Sequence, residues 1–293
     1  MERRIIEPIS PTAHPWISVL ASGSSGNCPV IVWHDDHKAH AALIDLGLSP
    51  RRTTRLLASL GLSIDAVSFA LLTHLDSDHI HPGWSGPRSP RFPVHLHESH
   101  AARASGPARG LDLHAFSDRL TLPGLHADAM LVSHDELGAS SFRLRFASGE
   151  HLGFATDVGR VTAELIDHLL GVDVLAIESN YCPILEHASS RPDFLKRRIM
   201  GGSGHLSNEE SARAARAIGP REHLILLHLS RECNRPSIAL ERHAAIDCPV
   251  TVSTHAEPTL PIHIRRSPRP SHNPQPVVRV GRQSMLFAHG VRA

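Results

Sequence analysis

The sequence predicts an α/β fold built in layers. Two observations carry that reading: short apolar runs of strand length alternate with helix-like segments from residue 17 to residue 253, and polar residues of metal-ligand type recur just past the ends of those runs. In chain order, strands are expected at 17–20, 30–33, 42–45, 67–72, 94–97, 129–133, 142–146, 152–156, 172–177, 224–228 and 250–253. Helices are expected at 51–60, 98–105, 161–170, 192–199, 208–218 and 237–246. The helix at 208–218 has a start signal of its own, because Ser207 and Glu210 form the S-x-x-E capping box. So many strands with helices between them require two sheets with helices outside. No internal repeat of fixed period is present.

A chain of 293 residues with 41% hydrophobic and 20% charged residues can bury a large core. The formal net charge of +1 gives no global field toward nucleic acid or membrane, so any such contact must come from local patches. Lys38 and Lys196 are the only lysines, and the arginine excess carries little functional weight by itself. Cys28, Cys182, Cys233 and Cys248 are scattered without a C-x-x-C pair, which argues against a disulfide framework or a structural zinc ribbon. With no signal-peptide core and no membrane-length apolar stretch, a cytoplasmic location is expected, with no membrane partner. Residues 1–15 read as an N-terminal extension and 16–257 as the folded domain. Residues 258–293, with six prolines up to position 276 and arginines that face no acid after Glu257, read as an extended tail. Such a tail is either a plain solvated terminus or a basic arm that tracks a polyanion.

The most informative stretch is Thr73-His74-Leu75-Asp76-Ser77-Asp78-His79, entered from the apolar run Ala66-Val67-Ser68-Phe69-Ala70-Leu71-Leu72. Extended backbone sends His74, Asp76 and Asp78 to one side, and His79 joins them if the chain turns. Mixed imidazole and carboxylate donors suit Zn²⁺, Mn²⁺ or Fe²⁺ rather than a thiolate-selected ion. The same pattern recurs where His134, Asp157 and His228 each end an apolar run. Alone, each is an ordinary strand-end residue. Together they supply seven ligands from four strand ends, enough for two metals.

The order His-x-Asp-x-Asp-His, then His134, then Asp157 in Ala-Thr-Asp-Val-Gly, then His228, resembles the metallo-β-lactamase fold over about residues 16 to 255. The resemblance implies an αββα four-layer sandwich with a binuclear site at one sheet edge. Ser22-Gly23-Ser24-Ser25-Gly26-Asn27, Glu178-Ser179-Asn180-Tyr181, Gly204-His205-Leu206-Ser207-Asn208 and His228-Leu229-Ser230 narrow it to the YycJ/WalJ-type branch, regarded as 5′-to-3′ exonuclease-like phosphodiesterases. It implies one metal on His74, Asp76 and His134, a second on Asp78, His79 and His228, and Asp157 bridging. Histidine is usual where this chain has Asp76, so the site is one unit less positive, and the harder oxygen donor tilts the first position toward Mn²⁺ or Fe²⁺ relative to Zn²⁺.

Two divalent ions, zinc or manganese with iron as a further choice, would give hydrolytic chemistry by activating water. Asp78 is the expected group to orient that water or accept its proton, and His205, in a glycine-flanked loop, the group to protonate a leaving oxygen or touch a phosphate. The helix start at Ser207 and Asn208 is expected to hold a phosphate, with Ser24, Asn27, Asn180 and Ser230 around the cleft. The leading expectation is a phosphodiesterase or 5′-to-3′ exonuclease on nucleic acid, DNA favoured. Its alternatives are an ester or thioester hydrolase and a non-catalytic regulatory module whose first metal site is impaired by Asp76.

Overall fold

The structure, a computed structural model, describes residues 14–266 apart from 36, 37 and 88. The expected N-terminal extension therefore lies outside the described residues except for His14 and Pro15, as does the tail beyond Arg266.

Fourteen strands among the described residues form two seven-stranded sheets. In the first, β1 (Trp16–Val19), β2 (Pro29–His34), β3 (Ala39–Ile44), β4 (Val67–Leu72), β5 (Pro93–His97) and β6 (Asp112–Phe116) lie in sequence order. The second runs through β7 (Arg119–Leu122), β8 (Leu125–Val132), β9 (Ala139–Phe146), β10 (His151–Ala155), β11 (Val174–Glu178), β12 (His223–Leu227) and β13 (Val250–Val252). β14 (Ile262–His263) returns to the first sheet beside β1. The helices are α1 (Pro50–Ser59), α2 (Glu98–Ala101), α3 (Ala163–Leu169), α4 (Pro183–Ala188), α5 (Asp193–Met200), α6 (Asn208–Ile218) and α7 (Pro236–Arg242).

Strand alternation explains the layers. Ile31, Trp33, Ala42, Ile44, Phe69 and Leu71 of the first sheet meet Phe142, Leu144, Phe154, Ala176 and Ile225 of the second in one buried core. Their neighbours point the other way: Val30, Leu43, Ala70 and Leu72 pack under Leu56 and Leu57 of α1, while Leu175, Ile177, Leu224 and Leu226 pack under α3 and α6. Sheets covered on both faces with helices outside are the αββα sandwich expected from the sequence. β3, β4, β5 and β6 are mutually parallel, as are β10, β11, β12 and β13, so each sheet brings several strand carboxyl ends to one edge.

The differences from the sequence reading lie at weakly apolar elements. β6 and β7 were not expected because four of five and all four of their residues, respectively, are at least partly exposed. The helix expected over 98–105 stops at Ala101, where Ala102 and Arg103 close turns onto Glu98 and His100. The segment assigned to a tail from residue 258 begins with ordered packing: Thr259 bonds Ser18 and Val19, Ile262 pairs with Ile17, and Ile264 is fully buried in the inter-sheet core. Ile264→Ala should therefore cost about 2–5 kcal/mol of folding stability, read as a lowered urea midpoint at unchanged slope. A midpoint equal to the parent's would return residues 258–266 to the tail.

Candidate metal centre

Six strands deliver the site. β3 leads into Asp45, β4 into Thr73 and His74, β8 through Ser133 into His134, β10 through Thr156 into Asp157 and β12 into His228, while β11 ends in Glu178 itself. Asp45, Asp157 and His228 have left-handed backbones with φ of 62°, 53° and 55°. Non-glycine residues adopt that region at a cost, and here it redirects a side chain within two residues of a strand end, into the cleft at Asp157 and His228 and into the interior beneath it at Asp45. The turn that the sequence reading required at His79 is present, since the His79 and Ile80 amides both close onto the Asp76 carbonyl. That loop is pinned from the side: Asn27 N–H donates to the Asp78 carbonyl at 2.8 Å and Leu46 N–H to that of His79 at 2.8 Å. Gly47 sits in the crossing, where a Cβ would lie 1.8 Å from the Asp78 carbonyl oxygen.

All seven residues expected to bind metal converge. Potential donor atoms of His74, Asp76 and His134 lie within 4.8 Å of one another, and so do those of Asp78, His79 and His228. Asp157 reaches both groups: its carboxylate oxygens are 3.0 Å from His79 Nε2 and 3.6 Å from His228 Nδ1 in the second, and with His74 of the first and His79 it forms a further set of donor atoms within 4.8 Å. Asp76 Oδ2 lies 3.6 Å from His74 Nε2 and 3.7 Å from His134 Nε2, a spacing that leaves room between the three for an atom bound to each. The residues also fit a cation chemically. His74 Nε2 is buried with no hydrogen-bond partner, an orphan whose lone pair faces the Asp76 carboxylate, and such atoms are costly unless something binds them.

The electrostatics show how much positive charge this crowd of acids demands. Burial disfavours charge on His134, yet Asp76, Asp157 and the Gly204 carbonyl raise its pKa to about 9. Burial acts the same way on His228, and Asp157, Asp78 and Glu178 overcome it, raising the ring to about 10. Burial also opposes ionisation of Asp157, but His228 and His79 hold its carboxyl well below the usual range. His74 goes the other way, lowered by burial and by the neighbouring His79, and so offers a neutral ring.

Partners behind the ligands fix their rings. The fully buried Asp45 accepts from Thr73 N at 2.8 Å and from the Thr73 hydroxyl at 2.9 Å, and lies 2.7 Å from His79 Nδ1. His134 Nδ1 lies 2.9 Å from the Gly204 carbonyl, which makes it the donor and leaves Nε2 toward Asp76. Glu178, also fully buried, accepts the Val158 and Leu206 amides on one oxygen and holds His205 Nδ1 at 2.7 Å on the other. His205 Nδ1 is 3.5 Å from Asp157. Neither Asp45 nor Glu178 was assigned a role from sequence, although each is a polar residue ending an apolar run, the same signal that exposed Asp157 and His228.

A cleft of about 280 Å³ opens over this centre, and Asp76, Asp78, His205, Ser24, Asn180 and Ser230 line it as expected, joined by Arg191 and Arg198. Three expected contacts are not on its wall. Asn27 is buried among the ligands, its amide nitrogen 3.0 Å from His79 Nε2 and 3.4 Å from Asp78 Oδ2. Ser207 completes both halves of the capping box with Glu210, and Asn208 is fully buried, bonded to Ser179 and Asn234. At the N-terminus of α6, where a phosphate is expected, the Leu206, Ser207, Asn208 and Glu210 N–H groups donate within the chain.

A family profile described as "Beta-lactamase superfamily domain" matches residues 40–229. Over 229 residues the chain is 31% identical to exodeoxyribonuclease YycJ of Bacillus anthracis, covering 76% of this chain and 85% of that protein. Exodeoxyribonuclease WalJ of Streptococcus pneumoniae serotype 2 (strain D39) is 30% identical over 231 residues, covering 76% and 84%. The crystal structure of the metallo-β-lactamase fold protein YhfI from Bacillus subtilis superposes with a TM-score of 0.62 at 14% identity, over 84% of this chain and 99% of that one.

Because His134 and His228 hold protons at neutral pH while a metal needs their lone pairs, divalent-ion binding should release protons and tighten as pH rises toward about 9–10. Titration calorimetry in buffers of different ionisation enthalpy reads the proton count directly. Zn²⁺ affinity that is flat from pH 6 to 9 would remove these imidazoles from the ligand set. Asp45→Ala should lower Zn²⁺ or Mn²⁺ affinity about 10–100-fold by freeing the His79 ring.

Proposed function

Since this chain belongs to the β-lactamase superfamily, with the metallo-β-lactamase fold and relatives of the YycJ/WalJ type, we propose that it is a cytoplasmic metal-dependent phosphodiesterase that removes nucleotides from nucleic acid 5′ ends, DNA above RNA. The observation that carries this reading is the Asp157 carboxylate lining an open cleft within reach of His74 in one cluster of ligand-type residues and of His79 and His228 in the other. His74, Asp76 and His134 would hold one divalent ion and Asp78, His79 and His228 the other, zinc or manganese by donor type. Bound there, two such ions supply Lewis acidity and a water activated at neutral pH. The cytoplasmic assignment draws support from four cysteines without a disulfide and from the absence, among the described residues, of a helix long and apolar enough to cross a membrane.

The chain's own residues divide the remaining work. Asp78 faces the cleft and is fixed by His228 Nε2 at 3.1 Å, which suits it to orient the attacking water and accept its proton. Glu178 engages His205 Nδ1, so that Nε2 of the same ring is left to donate a proton to the leaving oxygen. Arg191 is held by Glu186 and Glu232 with its remaining nitrogen on the Ser230 hydroxyl, a pre-set grip for a phosphate oxygen.

With Mn²⁺ or Zn²⁺ supplied, end-labelled DNA should lose 5′ nucleotides stepwise, and Asp157→Ala should abolish this together with metal retention. Glu178→Gln and His205→Ala should keep both ions yet lower kcat about 10²–10⁴-fold. Assays of single- and double-stranded DNA and RNA, bis-p-nitrophenyl phosphate and a thioester panel decide the matter. Thioester turnover with no phosphodiester cleavage under any metal would replace the nuclease reading.

A further inference from the structure

A nuclease that feeds a strand end to its metals must grip the strand, and α5 is the cleft wall whose composition suits that task. Leu195, Arg198 and Ile199 of α5 line the cleft, with Arg191 just before the helix. From 191 to 200 the segment carries Arg191, Lys196, Arg197 and Arg198 against a single acid, Asp193. Next to this face stands Phe194, 68% exposed. It lies one turn before Arg198 and about 40° around the helix from it. Among the described residues every other Phe, Trp and Tyr is buried, so the one aromatic ring left in solvent is on the cation-bearing helix at the cleft mouth.

Phe194 is not spent on packing its own helix. α5 already buries Ile199 and packs Leu195 and Met200 against Tyr181 and Cys233, and Phe194 takes no part in that cluster. Arg198 is held by a two-point bond to Asp135, which fixes the direction of its stem, and Lys196 is tied to the His187 and Ser189 carbonyls, which locks α5 to the end of α4. The ring is therefore carried on a rigid support. A flat apolar face beside fixed guanidinium groups matches a nucleotide, whose base stacks on the ring while its phosphate meets the arginine N–H groups that Glu186, Glu232 and Asp135 leave free.

Resting on the phosphodiesterase reading, we propose that Phe194 stacks on a base of the substrate strand near the scissile end, so that α5 selects single-stranded or frayed ends over paired ones. Stacking on one aromatic changes affinity about tenfold or more. Phe194→Ala should accordingly raise KM for single-stranded oligonucleotides about tenfold with kcat unchanged, and leave hydrolysis of bis-p-nitrophenyl phosphate, which has no base, at the parent rate. Phe194→Trp should restore the parent KM, which a merely structural side chain would not do. Binding is also read without turnover: an oligonucleotide carrying 2-aminopurine at its 5′ end, mixed with the metal-free protein, should be quenched by the parent and by Phe194→Trp but not by Phe194→Ala. Equal KM and equal quenching for parent and Phe194→Ala would overturn the proposal. A parent that quenches the probe but cleaves no phosphodiester would instead defeat the nuclease reading and leave the stacking contact standing.

Discussion

The carboxylate of Asp45, fully buried and reached from both the chain and the side chain of Thr73, is the contact on which the geometry of the centre turns. It ties the end of β3 to the end of β4, and through His79 Nδ1 it fixes a ring whose other nitrogen is 3.0 Å from Asp157. A buried carboxylate is costly unless its oxygens are satisfied, and here three donors satisfy it. The same contact thus serves two purposes: it lets an acid sit in the interior, and it leaves His79 one orientation.

The remaining ligands reach the cleft by a repeated device. A strand buried on both faces stops, and within two residues the side chain leaves the sheet at the edge, at Asp157 and His228 through a left-handed backbone. Each ligand-type group takes two residues from the loop after β4 in the first sheet and one, His134 after β8 or His228 after β12, from the second, so the spacing of the two sheets enters the geometry of both groups. The layered packing of Phe69, Phe142, Phe154 and Ile225 is in this sense part of the metal geometry.

What could be read from sequence follows from the same physics. Strands buried on both faces give unbroken apolar runs, so 67–72, 152–156 and 224–228 were legible to within a residue or two, and with them the residues just beyond. β6, β7 and β14 are short, half-exposed edge elements and leave little apolar trace. His74, Asp76, Asp78 and His79 announced a site because four ligands fall within one turn-sized stretch. Asp45 and Glu178 did not, since their meaning comes from partners 34 and 27 positions away. At the start of α6 the legible part was local: Ser207 and Glu210 form the cap that S-x-x-E spells, and the cap takes up the Ser207 and Glu210 amides.

The crossing at Gly47 bears on how such a chain can vary. Neither ligand nor catalytic group, it has no side chain to recommend it, yet any substitution would push a methyl group into the Asp78 carbonyl and displace two metal-side residues at once. A position without a side chain thus governs the cleft through backbone alone, and a scan that weighs residues by their functional groups passes it over.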